Sequence, residues 1–170
     1  MTRERGNGRI REESQQRLFQ RVCEFLESCE ISAPNAQEVE TAYTKRVLLP
    51  AITAHLEARG LGKLIVVGET SAAPPVDFWG KVFYPDIAIL YYGERLVAIE
   101  VKLMRSGQSV ATALGQALIY RAAGYRHSCA FLVGNERDAR SSVTAGLENL
   151  EEPHTIVRTA CQGVLTARNG

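Results

Sequence analysis

A chain of 170 residues at 18.7 kDa, 45% hydrophobic and 23% charged, has the makeup of one globular domain and excludes a collagen-like, mainly disordered or disulfide-scaffold protein. Its net charge of +1 hides an uneven spread: residues 1–21 carry six Arg against three Glu, and the remainder carries fourteen basic against sixteen acidic residues. A body that binds nucleic acid by bulk charge is thereby excluded, and no apolar run approaches the roughly 20 residues of a membrane helix.

Residues 1–11 are polar and Arg-rich, with Gly6 and Gly8 among the charges. They read as a flexible arm ahead of a single domain over 12–170. Over 12–30 a helical period appears in Leu18, Val22, Phe25 and Cys29, flanked by Phe19 and Leu26. Its apolar face is a candidate interface as well as a candidate core face. Pro34 breaks this helix. A second helix spans 36–59, with Asn35 as N-cap, Glu38 as capping-box partner and Gly60 as stop. Pro50 lies inside it and predicts a kink or split near 46–50.

Residues 63–68 read as a buried strand. The segment 70–81, with Pro74, Pro75, Phe78 and Trp79, reads as a long functional loop. Trp79 is assigned there to core or loop packing rather than to base stacking. Residues 82–91 and 96–103 are two apolar strands joined by a turn at Gly93, an antiparallel hairpin. A helix over 109–123, a strand over 129–133, a helix over 136–150 and a weaker strand over 155–159 complete the chain. The order α-α-β-β-β-α-β-α-β predicts an α/β fold with a mixed sheet flanked by helices.

Cys23, Cys29, Cys129 and Cys161 form no C-x-x-C pair, which argues against zinc. The charged N-terminus carries no apolar h-region. We therefore expect reduced thiols in a cytoplasmic protein. His55, His127 and His154 are isolated and are not expected to be ligands. Gly60, Gly62 and Lys63 precede a strand rather than a helix, so they do not make a phosphate-binding loop.

The chemistry gathers at the open end of the hairpin. Pro85-Asp86 opens one strand, and Glu100-Val101-Lys102 closes the other after thirteen intervening residues. Glu100 and Lys102 alternate onto one face. Two ionisable groups on so apolar a strand are costly unless paired or set in a cleft. Two carboxylates beside a Lys form a hard oxygen site of the kind Mg²⁺ takes. Register supplies a check. A strict two-residue loop at Gly93-Glu94 would put Asp86 opposite Val101 and on the wrong face. A site here requires a longer loop, a bulge or a bend at Pro85.

This pattern resembles the signature of the PD-(D/E)xK nuclease superfamily, the restriction-endonuclease-like fold, over residues 36–133. Gln116 and Tyr120, four apart on the following helix, resemble the Gln-x-x-x-Tyr motif of its RecB-like branch. The resemblance implies that Asp86, Glu100 and the Val101 carbonyl ligate Mg²⁺, with Mn²⁺ as a substitute. It implies that Lys102 orients or activates the attacking water and stabilises charge at the phosphate, with a pKa that desolvation can lower. It gives Gln116 and Tyr120 a positioning role toward substrate or carboxylates. The family often adds a Glu from the preceding helix. Glu40 is favoured over Glu38, which has its capping role, and over Glu69. Arg105, Lys102, Arg121 and Arg126 are candidates for a local basic funnel. The cysteine spacing predicts no iron–sulfur cluster.

The function so implied is Mg²⁺-dependent phosphodiester hydrolysis, with DNA placed ahead of RNA, and with the choice between them and endo or exo action open. Alternative readings are a nuclease subunit of a larger defence or repair assembly, a homodimer, or a catalytically silent interaction domain. No membrane partner is expected.

Overall fold

The computed structural model describes residues 3–35, 37–61, 64–68, 73–104, 106–134 and 154–159. The expected helix over 136–150 lies outside these, as do Arg105, Glu69 and Cys161.

Helix α1 (Arg3–Ser28) opens at Arg3, so the segment expected as a flexible arm is helical over 3–11 and continuous with the amphipathic part. Its inward face is Leu18, Val22, Cys23 and Leu26, with Phe19, Phe25 and Cys29 packed at the margins. That face lies on the chain's own core. The interface candidate is thus covered from within.

Helix α2 (Glu40–Tyr43) runs through a π-helical turn at Thr44–Leu48 into α3 (Leu49–Ala58). The cause is Pro50, which lacks an N–H and whose ring crowds the Arg46 carbonyl four residues back. The helix widens ahead of it instead of breaking. The expected capping box is half realised. Glu38 Oε2 accepts from the Asn35 N–H at 2.9 Å, but the helix starts two residues later with Val39 at its N-cap. Gly60 ends the run at φ +68°, in the left-handed region where a Cβ is strained.

Among the described residues five strands form one mixed sheet in the order β1-β4-β5-β6-β7. They are β1 (Leu64–Gly68), β4 (Ile87–Tyr91), β5 (Glu94–Leu103), β6 (His127–Gly134) and β7 (His154–Thr159). The β1–β4 and β4–β5 pairs are antiparallel, and the β5–β6 and β6–β7 pairs are parallel. The expected strand over 82–91 is divided. Its first part becomes β3 (Lys81–Phe83), paired with β2 (Val76–Phe78) as a separate hairpin inside the expected loop. Pro85 cannot donate to a ladder, so the strand is interrupted there. The chain is a mixed α/β protein.

Helix α4 (Gly107–Ala122) connects β5 to β6. The sheet is covered on both faces. Ile87, Ile99, Val101, Phe131 and Ile156 meet α1 and α3 in one cluster. Ala88, Ala98 and Ala130 share their clusters with α4 residues Ala113, Ala117 and Tyr120. Alanines on both sides let α4 approach closely. This is why β5 is buried from Leu96 to Val101, as a central strand must be. No helix among the described residues is long and apolar enough to cross a membrane.

Candidate active site

The register of the β4–β5 hairpin decides what faces what. The loop is Tyr92-Gly93, with φ of 50° and 78°, a turn with both central residues left-handed. Tyr91 pairs with Glu94 and Leu90 with Arg95. That register, continued, would set Asp86 opposite Ile99, on the wrong face. A bulge between Ile89 and Leu90 inserts Leu96 as the extra residue, and Ile89 then pairs with Val97 and Ile87 with Ile99. Asp86 now falls opposite Glu100. Leu96 and Val97 both turn into the same core cluster, as one extra residue requires.

The chain bends at Asp86, one residue before β4 begins. Asp86 Oδ2 accepts from the Val101 N–H at 2.7 Å. The carboxylate replaces the carbonyl that a longer β4 would have offered. In a strand the N–H and C=O of one residue point to the same side. The Val101 carbonyl therefore projects toward Asp86, past the last β4 pair.

Glu100 is 3% exposed and sits on the face that meets α4. Tyr120 Oη lies 3.0 Å from Glu100 Oε2 and 2.9 Å from the Tyr84 carbonyl oxygen, and Gln116 hydrogen-bonds the same hydroxyl. Tyr120 has one proton to give. It donates to one of the two oxygens at a time, Glu100 Oε2 or the Tyr84 carbonyl. Burial first, then the Asp86 charge, pushes Glu100 up to about 8 against the pull of Lys102 and Tyr120. Tyr120 itself is raised by burial and by Glu100.

Lys102 Nζ lies 3.2 Å from Glu40 Oε2 and 3.6 Å from Glu100 Oε1. Its burial works to lower its pKa, but Glu100, Glu40 and Asp86 outweigh that and hold it above the ordinary value. The expectation of a depressed Lys is corrected. These acidic neighbours favour its ammonium form.

The Glu alternatives are separated by geometry. Glu38 is engaged by Arg46 through two bonds of 2.8 and 2.7 Å, which draw its carboxyl down to about 2. Glu40 opens α2 and meets Lys102. The structure thus brings together Glu40, Asp86, Glu100, Lys102, Gln116 and Tyr120. Arg121 and Arg126 are elsewhere. Arg126 precedes His127, which pairs with Val97, five residues along β5 from Lys102 and so about 16 Å away. Arg121 donates to the Tyr125 carbonyl at 3.1 Å, and Arg105, the member of the expected funnel nearest Lys102 in sequence, lies outside the described residues.

Among the described residues no group of three His, Cys, Asp or Glu side chains stands ready to hold a metal. The donor set here is smaller: the Asp86 and Glu100 carboxylates and the Val101 carbonyl. All are hard oxygens, which suits Mg²⁺, an ion that keeps several waters and takes substrate phosphate as further ligands. Soft-metal ligands are not part of this set. Cys23 and Cys129 are buried free thiols, and burial raises both pKa values. His55 packs on Phe25 and His127 stacks on Phe19, each at 4.1 Å.

Comparison with family models, with curated proteins and with solved structures finds no match to this chain. The reading of the site therefore rests on its geometry.

Sequence reasoning missed the Tyr84 carbonyl, which anchors Tyr120. The only available signal was its place just before Pro85. Tyr120→Phe tests this anchor. It keeps the packing and removes the hydroxyl that Tyr84 and Glu100 share. We expect a loss of about 1–2 kcal/mol in unfolding free energy by urea titration.

Proposed function

We propose that this chain is a Mg²⁺-dependent nuclease of the PD-(D/E)xK type, with a restriction-endonuclease-like arrangement of sheet and helices. One observation carries the reading. A bulge at Leu96 and a bend at Asp86 set Asp86 against Glu100 and Lys102, on a sheet end that Gln116 and Tyr120 line from α4. A cross-strand ion pair would need none of these devices. It would also not favour burying two carboxylates side by side.

Asp86, Glu100 and the Val101 carbonyl would hold Mg²⁺, which supplies Lewis-acid stabilisation of the charge that develops on the phosphoryl group. Lys102 places a permanent positive charge at the mouth of the site, where a phosphate oxygen arrives. Glu40 fixes the direction of that ammonium. Tyr120 and Gln116 hold the Glu100 carboxylate in one orientation. Water attacks phosphorus and gives up a proton to solvent, a P–O ester bond breaks, and the leaving oxygen takes a proton from solvent.

The test is incubation with plasmid, linear, single-stranded and branched DNA, and with RNA, each in Mg²⁺, Mn²⁺ or EDTA. Cleavage of at least one DNA substrate in Mg²⁺, reduced to background by EDTA, is expected. A folded protein that cuts none of them in either metal would overturn the reading for the isolated chain. It would favour a subunit that relies on a partner for its substrate.

A further inference from the structure

The β2–β3 hairpin is joined to the site by two residues, Tyr84 and Pro85, which lead directly into Asp86. Its base is fixed. Val76 and Phe83 pack with Ile119, Tyr120 and Ala123, and Arg95 Nη2 donates to the Pro75 carbonyl at 3.0 Å. Its tip is the turn Trp79-Gly80, with φ of 55° and 75°. A turn left-handed at both central positions favours Asn-Gly or Gly-Gly, and a bulky side chain at the first position is strained. Asp77 Oδ1 accepts from the Gly80 N–H at 3.2 Å and holds that shape.

Trp79 is 93% exposed, so the expectation that it packs in a core or loop is corrected. Phe78, with its ring 6.3 Å away, and Val82 are exposed too. The fold tolerates a strained backbone and an uncovered indole at one point, and recovers little burial there. Such outliers gather where a site needs the side chain for something outside the fold. Tyr92-Gly93 has the same turn geometry but a different setting. Tyr92 lies edge-on to Tyr91 at 4.6 Å, at the end of β4 farthest from Asp86.

We propose that Trp79 is a stacking platform for an unpaired nucleobase, so that this nuclease takes its substrate at a single-stranded segment, end or junction. The inference rests on the nuclease reading of the site and names its substrate class. Every base offers a π face to an aromatic ring, and such stacking does not depend on sequence. Lys81 pairs with Phe78 across the turn, and its ammonium, 5.1 Å from the Phe83 ring centroid, puts a cation on the same hairpin for the backbone of the bound strand. Asp86 lies seven positions after Trp79. At most about 3.3 Å each, they span about 23 Å, the length of about seven stacked nucleotides. The platform and the scissile bond therefore engage one short stretch of strand.

Trp79 is the single tryptophan of the chain, so intrinsic fluorescence reads this indole directly. The full chain carrying Lys102→Ala, in EDTA, is titrated with a single-stranded 12-mer, with its blunt duplex and with anionic phospholipid vesicles. Strong quenching by the single strand and weak quenching by the duplex are expected. In the anisotropy of a labelled 12-mer, Trp79→Ala should weaken binding by about fivefold to a hundredfold, and Trp79→Phe by much less. Trp79→Gly should weaken binding as Trp79→Ala does, yet raise the melting temperature by relieving the turn.

An unquenched indole with unchanged affinity in Trp79→Ala overturns the inference, and so does a response to vesicles only. If wild type and Trp79→Ala cut single-stranded and branched DNA equally, stacking falls while the nuclease reading stands. If nothing is cut but the indole is quenched and Trp79→Ala binds weakly, stacking stands while the nuclease reading falls.

Discussion

Lys102→Ala is expected to leave a folded protein whose Mg²⁺-dependent cleavage is lower by about a hundredfold to a thousandfold. The size follows from what one preorganised charge contributes at a developing phosphoryl charge in a site shielded from water. The fold should survive, because the Lys102 side chain is 16% exposed and its head sits at the mouth of the site rather than under α4. Two further effects work against activity. Glu100 loses the nearby cation that favours its ionised form, so it holds its proton more tightly. Glu40 loses its partner and adds an unopposed negative charge where a phosphate must come.

Asp86→Ala should reach a similar loss by another route, through the removal of a ligand. It also takes the acceptor from the Val101 N–H, worth about 1.5–3 kcal/mol for a bond to a charged group. Part of that is returned, because Glu100 is freed from a like charge. The measurements are a plasmid cleavage time course and a thermal melt for each variant. Wild-type cleavage in both would reject the site.

The second large effect is a pH dependence of metal binding and of stability, both set by Glu100. Its pKa in the folded chain is about 8, above the ordinary 4.5 of an unfolded Glu. Between those values the native state binds the proton and the unfolded state does not. Stability of the metal-free protein should therefore be greatest in acid for this group, and should fall as pH rises from about 4.5 through 8. The slope is on the order of 1.4 kcal/mol per pH unit. Metal must displace the same proton. Mg²⁺ affinity should rise about tenfold per pH unit up to about pH 8 and level off above it. Calorimetry in buffers of different ionisation enthalpy would show about one proton released per metal. Melts at saturating Mg²⁺ should lose the pH slope, and so should Glu100→Gln without metal. A Glu100→Gln protein with the full wild-type slope would place the titrating group elsewhere.

Much of the site was legible because its residues announce themselves against their surroundings. Glu100 and Lys102 interrupt an apolar strand, and their alternation is a property of any strand. Asp86 follows a proline at a distance one hairpin can close. What could not be read was the device that aligns them. Leu96 is an apolar residue among apolar residues, and nothing in its identity marks it as the bulge. The sequence argument could state only that some irregularity had to exist.

The same limit explains the divided strand. Residues 82–84 and 87–91 are β-forming on either side of Pro85-Asp86, and the split depends on Pro85, which closes the first run as well as leading into the bend at Asp86. The β2–β3 hairpin was hidden because Trp-Gly is a poor turn pair by composition, and a loop of prolines and aromatics was the simpler reading. Pro50 predicted a disruption in the right place, but not that the helix would absorb it as a π turn. Glu38 looked like a capping residue and does contact Asn35. Its stronger engagement with Arg46 depends on a meeting eight residues away that local rules do not contain.

The end of β4 at Ile87 has a consequence for the proline two residues before it. A continued β4 would place residue 85 opposite Val101, in a pair that exchanges both backbone bonds. Any other residue there would bring an amide hydrogen to the Val101 carbonyl and zip the two strands shut. Pro85 has no such hydrogen. The missing proton is a permanent gap in the seam, and it keeps one main-chain oxygen pointed at the place where an ion would sit. In this chain an atom that is not there prepares the proposed metal site as much as the carboxylates on either side.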